Sequence, residues 1–252
     1  MQCPKAALFD LDNTLADPFH PPKEEMLERF KKLLSLRPVA IMSAASLQRI
    51  QKDVLQNLGN TDLSSLTLFA ANAAQSYIYR EGTWQVQYQF SFSDIEREHI
   101  RATLRQCVTD LGIITDKDIA HDKQFVDYQG YVAFTALGVG APVEDRKAWD
   151  PDASKRQSLR AALQEKLPEF DIYIGGSTSV DITPKKINKA YGINWYSKFL
   201  HIPTSEMLFV GDALYEGGND NVVIETGVQT RSTSGPEETL SIMDELLTAC
   251  VT

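Results

Sequence analysis

The chain has 252 residues, 43% of them hydrophobic, and its 25 Lys and Arg against 34 Asp and Glu leave a net charge of −9. An acidic chain with no basic run longer than Lys185-Lys186 argues against nucleic acid and anionic membranes as main partners, yet leaves room for an anionic substrate held by a local cation or metal. Cys3, Cys107 and Cys250 are far apart and odd in number, so no disulfide framework is expected and a reducing compartment fits. No apolar leader or bilayer-length segment is seen, and the expectation is a soluble, cytoplasmic protein of one large or two modest domains.

The first element is the short apolar run Ala6 to Phe9, which stops at Asp10 and reads as a buried strand. Met26, Leu27, Phe30, Leu33 and Leu34 recur at helical spacing before Pro38. Val39 to Met42 is a second strand, ending at Ser43. Ser46 caps a helix with Leu47, Ile50, Val54, Leu55 and Leu58 on one face, and Leu66 to Ala70 is a third strand. Strands alternating with helices predict a doubly wound parallel α/β sheet.

The rhythm then changes. Gln75 to Arg80 and Thr83 to Tyr88 flank Glu81-Gly82 as a hairpin, and Ser93-Asp94-Ile95-Glu96 is a capping box opening a helix to about Leu111. A second hairpin is expected around Gln129-Gly130. A helix follows Asp150-Pro151, and strands lie at Asp171 to Ile174 and Ser179 to Thr183. This is the composition of an inserted α+β domain, assigned to residues 89–179, with 1–88 and 180–252 forming the α/β domain. Past Pro184 the first rhythm returns: a helix at about Ile187 to Leu200, a strand Met207 to Val210 ending at Gly211-Asp212, a helix near Asn219 to Thr226, a short strand at Val228 to Thr230 and a last helix after Gly235-Pro236.

Asp10 and Asp12 sit two residues apart at the end of a strand, where open α/β sheets bind ligands. Two such carboxylates alone are more often a solvated turn. Ser43 and Asp212 end other strands of the same sheet, and Lys189 lies early on the helix that re-enters this domain. The joint set suits phosphoryl transfer. Asp10 is the candidate nucleophile and Asp12 the candidate acid and base. Ser43 and Lys189 stabilise phosphoryl oxygens. Mg2+ is expected on Asp10, Asp212 and the backbone carbonyl of Asp12. Asn219 and Asp220 either bind metal or cap the helix that follows.

On these residues the sequence resembles the haloacid dehalogenase superfamily. Asp10-Leu11-Asp12-Asn13-Thr14 is similar to its first motif, with Asn13 where Gly is commoner; Ser43 matches the second, Lys189 the third, and Gly211-Asp212 through Gly217-Gly218-Asn219-Asp220 the fourth. The position of the insert resembles the C2B cap of subfamily IIB, the Cof-type group. Within it, Phe69-Ala70-Ala71-Asn72-Ala73, Ile174 to Asp181 and Asp212 to Asp220 resemble segments of the eukaryotic phosphomannomutases. Those mutases grip a sugar phosphate with cap arginines at positions that fall here on Tyr128 and roughly Val139, with Arg146 nearby but out of register.

The expectation is therefore a Mg2+-dependent phosphohydrolase of a small phosphorylated metabolite, with sugar phosphates as the candidate class, acting through an aspartyl-phosphate. The alternatives are a phosphomannomutase-like phosphotransferase and a non-catalytic phosphate or metal sensor. A homodimer through the cap is implied by the resemblance only.

Overall fold

A computed structural model describes residues 2–113 and 124–251. In chain order the elements are β1 (Ala6–Phe9), α1 (Glu24–Leu36), β2 (Val39–Met42), α2 (Leu47–Asp53), β3 (Leu66–Ala70), β4 (Gln75–Arg80), β5 (Thr83–Gln89) and α3 (Asp94–Asp110). There follow β6 (Phe125–Asp127), β7 (Val132–Thr135), α4 (Val143–Trp149), α5 (Ser154–Lys166), β8 (Phe170–Gly175) and β9 (Ser179–Pro184). The chain closes with α6 (Lys189–Leu200), β10 (Met207–Gly211), β11 (Gln229–Ser232) and α7 (Pro236–Val251). Contacts divide it into two compact units, the first made of Met1–Gln89, Asn188–Glu216 and Asp220–Thr252, the second of Phe90–Ile187 and Gly217–Asn219.

The first unit holds a seven-stranded sheet in the order β11-β10-β1-β2-β3-β4-β5. Its first five strands are parallel, while β4 and β5 continue it as an antiparallel hairpin. Alternation along each strand explains why helices cover both faces. Ala7, Phe9, Val39, Ile41, Leu208 and Val210 point to one side, into a core with Phe30, Leu33, Ile50 and Met243 from α1, α2 and α7. Ala6, Leu8, Ala40, Met42 and Phe209 point to the other, against Ile193 and Tyr196 of α6. All five strands of the parallel set except β11 are buried on both faces, and each large apolar side chain so buried contributes roughly 1.5–3 kcal/mol. The result is the expected doubly wound α/β sheet, with Asp10, Ser43 and Asp212 leaving the C-terminal ends of β1, β2 and β10.

The second unit is a four-stranded antiparallel sheet in the order β6-β7-β9-β8. Ile100, Leu104 and Val108 of α3 and Leu159 and Leu163 of α5 pack on Val132, Phe134, Ile172, Val180 and Ile182. Both halves of the capping box at Ser93 and Glu96 are formed.

Several sequence expectations are corrected. Residues 180–187 stay with the second unit because β9 is paired on both sides, by β7 and β8. The helix foreseen from Asn219 is a short 3-10 turn over Asn221–Thr226, ended by Gly227 at φ 73°. Helix α4 was not foreseen. Helix α6 starts at Lys189, because Asn188 accepts the Tyr191 amide as its cap. Cys3 and Cys250 are disulfide-bonded although 247 residues apart, and Cys107 is the free cysteine. Distance along the chain gave no hint that the lead into β1 and the end of α7 meet, and the pairing removes cysteine usage as a reason to expect a reducing compartment. Among the described residues no helix is long and apolar enough to cross a membrane.

Candidate active site

The site is built where β1, β2 and β10 end. Asp10 continues β1, its amide donating to the Val210 carbonyl at 3.0 Å, so the carboxylate is fixed to the sheet edge and buried. The chain then turns sharply: the Leu11 carbonyl accepts the amides of Leu15 and Ala16, and Asn13 takes φ 57°. Asn tolerates this left-handed conformation better than other residues with a side chain, which accounts for Asn where Gly would also serve. Its side chain helps hold the Asp212 carboxyl down against the effect of burial.

Lys189, the first residue of α6, has its side chain fully buried. Its Nζ donates to Asp10 Oδ1 at 2.8 Å and to Asp220 Oδ1 at 2.5 Å. A Cβ at Gly192 would lie 2.8 Å from Met42 Cε and 2.9 Å from Ala73 Cβ, so the absence of a side chain there lets α6 bring Lys189 this close. Asp220 is fully buried, and its other oxygen accepts the Ala213 amide at 3.0 Å. A Cβ on Gly211 would collide with that carboxylate. Asp220 makes no side-chain cap to the turn that follows; its side chain is taken up by Lys189 and the Ala213 amide instead.

One ligand oxygen from each of Asp10, Asp212 and Asp220 lies within 4.8 Å of the others. Three carboxylates around one ammonium leave excess negative charge in a buried place. Burial first, then Asp220, push the Asp212 carboxyl up to about 7. Burial also raises the Asp10 carboxyl well above the usual range; Lys189 opposes this and the two other aspartates add to it. Burial works against the Lys189 ammonium, but Asp10 and Asp220 outweigh it and hold its pKa above the ordinary lysine value. Hard oxygen donors with surplus charge fit Mg2+.

Ser43 is buried at the end of β2, and its Oγ accepts the Ala45 amide at 3.0 Å, which leaves its hydroxyl hydrogen to donate. Its loop is tied down by Ala71, Asn72 and Ala73, three consecutive residues at φ 52°, 54° and 65°. The Asn72 amide donates to the Ser43 carbonyl and the Ala71 amide to the Ala45 carbonyl, both at 2.9 Å. A left-handed run of non-glycine residues is costly and is kept where the surroundings enforce it. Sequence reasoning quoted Asn72 only within a motif; it is fully buried, and neither polar atom of its side chain has a hydrogen-bond partner among the described residues.

Asp12 stands apart from the three clustered carboxylates, its side chain held by Arg49 of α2 and by the Phe19 amide. Arg49 was missed by the sequence reading, as nothing in its helical spacing distinguishes it from a solvated residue. Asn219 falls in the short stretch of the second unit, residues 217–219. Of the residues foreseen, the structure thus clusters Asp10, Lys189, Asp212 and Asp220.

A parallel sheet with an inserted α+β unit, and an Asp-x-Asp at the end of its first strand facing a lysine and further aspartates, define the haloacid dehalogenase class. Within that class, residues 26–249 match the family described as eukaryotic phosphomannomutase, and the chain belongs to that family. Phosphomannomutase of Spinacia oleracea is 26% identical over 250 residues, 95% of this chain and 94% of its own. That of Solanum lycopersicum is 27% identical, over 93% and 90%. Among solved structures, the IMP-bound IMP-nucleotidase of Plasmodium falciparum superposes with a TM-score of 0.68 at 18% identity, covering 98% of this chain and 68% of that one. A haloacid dehalogenase-like hydrolase from Bacteroides thetaiotaomicron gives 0.61 at 12%, covering 96% and 99%. These two likenesses are of fold. The family makes the chain an enzyme of phosphoryl transfer, which sets the non-catalytic sensor aside.

Proposed function

We propose that the chain is a Mg2+-dependent phosphohydrolase of a small phosphorylated metabolite, working through an aspartyl-phosphate at Asp10. The observation that carries this is the buried group of Asp10, Lys189, Asp220 and Asp212, with Asp12 two residues beyond the candidate nucleophile. An Asp10 oxygen attacks phosphorus while the ester oxygen leaves with a proton from Asp12. Asp12 then takes a proton from water as that water attacks the aspartyl-phosphate, releasing inorganic phosphate and restoring the Asp10 carboxylate and the protonated form of Asp12. Lys189 neutralises charge on the phosphoryl group and Ser43 donates to one of its oxygens. Asp10, Asp212 and Asp220, with the Asp12 carbonyl, are the groups that would hold Mg2+, and Asn219 is a further candidate. Bound there, the ion offsets the repulsion between a carboxylate and a phosphate dianion. We assign the second unit the role of a C2B-type cap that selects the substrate.

The family favours a second reading, a phosphomannomutase-like transfer within one sugar phosphate. A mutase must hold phosphate at both ends of its substrate. Tyr128, at one of the cap arginine positions, stacks on Tyr131 with ring centroids 5.8 Å apart, and Val139, near the other, is exposed. Arg146 is buried, donating to the carbonyls of Gly138 and Ala141 at 2.8 and 3.1 Å and to Thr178 Oγ1 at 3.3 Å. Arg156 is likewise committed to Asp150 and the Gly176 carbonyl. These commitments support hydrolysis over isomerisation. Phosphate release from a panel of phosphorylated metabolites, with and without Mg2+ and beside Asp10→Asn, tests the reading. Metal-dependent release lost in Asp10→Asn is expected; isomerisation without net release, in wells with a sugar bisphosphate activator, would replace it by the mutase.

A further inference from the structure

We propose that Arg49 is the positioning residue for Asp12, holding the candidate acid and base in its working orientation; this rests on the role given to Asp12 above. Ser46 caps α2 by accepting the Arg49 amide, which puts Arg49 in the first turn of the helix. Side chains on a helix lean toward its N-terminus, so the long Arg49 side chain reaches back over the end of β2 toward the turn after β1. Its Nη1 donates to Asp12 Oδ2 at 2.8 Å and its Nη2 to Asp12 Oδ1 at 2.5 Å. The Phe19 amide adds a third donor to Asp12 Oδ1 at 3.1 Å.

The guanidinium is itself fixed. Its Nε donates to Asp53 Oδ2 at 3.1 Å, one turn along the same helix, and the Phe19 ring covers its face at 4.4 Å from the centroid. Asp53 is buried, so the anchor on the far side does not move freely with solvent. A planar fork held at Nε by one carboxylate and presenting both Nη to another defines the plane of that second carboxylate, which a single point charge cannot do. Asp12 has a short side chain on a turn and otherwise little to fix it. Orientation of a general acid at the leaving oxygen is worth much of its catalytic effect, which runs to about 100- to 10,000-fold.

An acid matters most when the leaving group is poor. The test is therefore kcat for an alkyl phosphate and for p-nitrophenyl phosphate, whose leaving group needs little protonation, in Arg49→Gln, Arg49→Lys, Asp53→Asn and Asp12→Asn, with thermal unfolding as a check on folding. Arg49→Gln is expected to lose about tenfold or more beyond its loss on the aryl ester when assayed on the alkyl ester, in kcat rather than KM. Arg49→Lys should recover part of the loss. Asp53→Asn, which removes the anchoring charge at Nε but leaves the fork, should show a smaller loss of the same kind and keeps the test open if Arg49→Gln folds poorly. The double variant Asp12→Asn with Arg49→Gln should be no worse than Asp12→Asn on the alkyl ester. Equal losses on both esters, a change in KM alone, or a gain in kcat would overturn the role of Arg49. If Asp12→Asn itself shows no dependence on leaving group, the assignment of Asp12 fails and the proposal with it; if Asp12→Asn shows it and Arg49→Gln does not, only the proposal for Arg49 fails.

Discussion

Replacing Lys189 by Met keeps the length of the side chain and removes its charge, leaving Asp10 and Asp220 without the ammonium that each now contacts at 2.8 and 2.5 Å. Lys189 and Asp220 are fully buried and Asp10 nearly so, so water cannot replace the lost partner. Removing one member of a buried ion pair costs about 3–5 kcal/mol, mostly as the penalty on the charge left behind. For a chain of this size about 1 kcal/mol moves the melting temperature by roughly 2–4 °C, so the drop should be roughly 6–20 °C in metal-free buffer near neutral pH. The pH dependence gives the mechanism away. Asp10 and Asp212 already have raised carboxyl pKa values, first through burial, and losing the ammonium raises them further. A carboxyl raised in the folded state favours folding fully below its unfolded pKa, and that contribution is lost as pH rises through the folded value. The deficit of Lys189→Met should therefore shrink toward about pH 5 and grow toward about pH 8, and Mg2+ should recover part of it. Thermal unfolding across this range is the assay. A variant within about 1 kcal/mol of the parent at every pH, or a deficit that does not vary with pH, would refute the account of the cluster.

Gly211→Ala puts a methyl group into the Asp220 carboxylate and 2.7 Å from a ring carbon of Phe209, so β10 must shift or Asp220 must leave Lys189. We expect a loss of about 2–4 kcal/mol by chemical denaturation and a large loss of phosphate release, whereas an unchanged variant would show that Asp220 is not held where the close approach requires. At the Asp212 carboxyl, pushed up to about 7 first by burial and then by Asp220, a proton competes with metal for the ligand oxygen. Mg2+ should thus raise the melting temperature more at about pH 8 than at about pH 5.5; equal shifts would remove Asp212 from the metal site. Asn13→Gly should leave the turn intact, since Gly accepts φ 57° freely, but weaken Mg2+ binding measured by calorimetry, because the Asn13 side chain favours the ionised form of Asp212; unchanged binding would remove Asn13 from the support of the site.

The sequence by itself determined the scaffold of the site. Runs such as Ala6 to Phe9, Val39 to Met42 and Met207 to Val210 are too short and too apolar to be anything but strands buried on both faces, and each gives way to a polar residue, directly or after the single Gly211. Parallel pairing then forces Asp10, Ser43 and Asp212 to one edge, because strands running the same way end on the same side. Lys189 was legible for the same reason, lying at the start of the helix that leads into β10. Only the tertiary structure decided which polar groups meet. Lys189 and Asp220 are 31 residues apart, Arg49 and Asp12 are 37, and Cys3 and Cys250 are 247. Periodicity reports which face of an element is apolar; it carries nothing about which polar side chain on a neighbouring element lies opposite. The close approaches at Gly192 and Gly211 set those encounters, and an absent side chain has no pattern of its own until the backbone around it is in place.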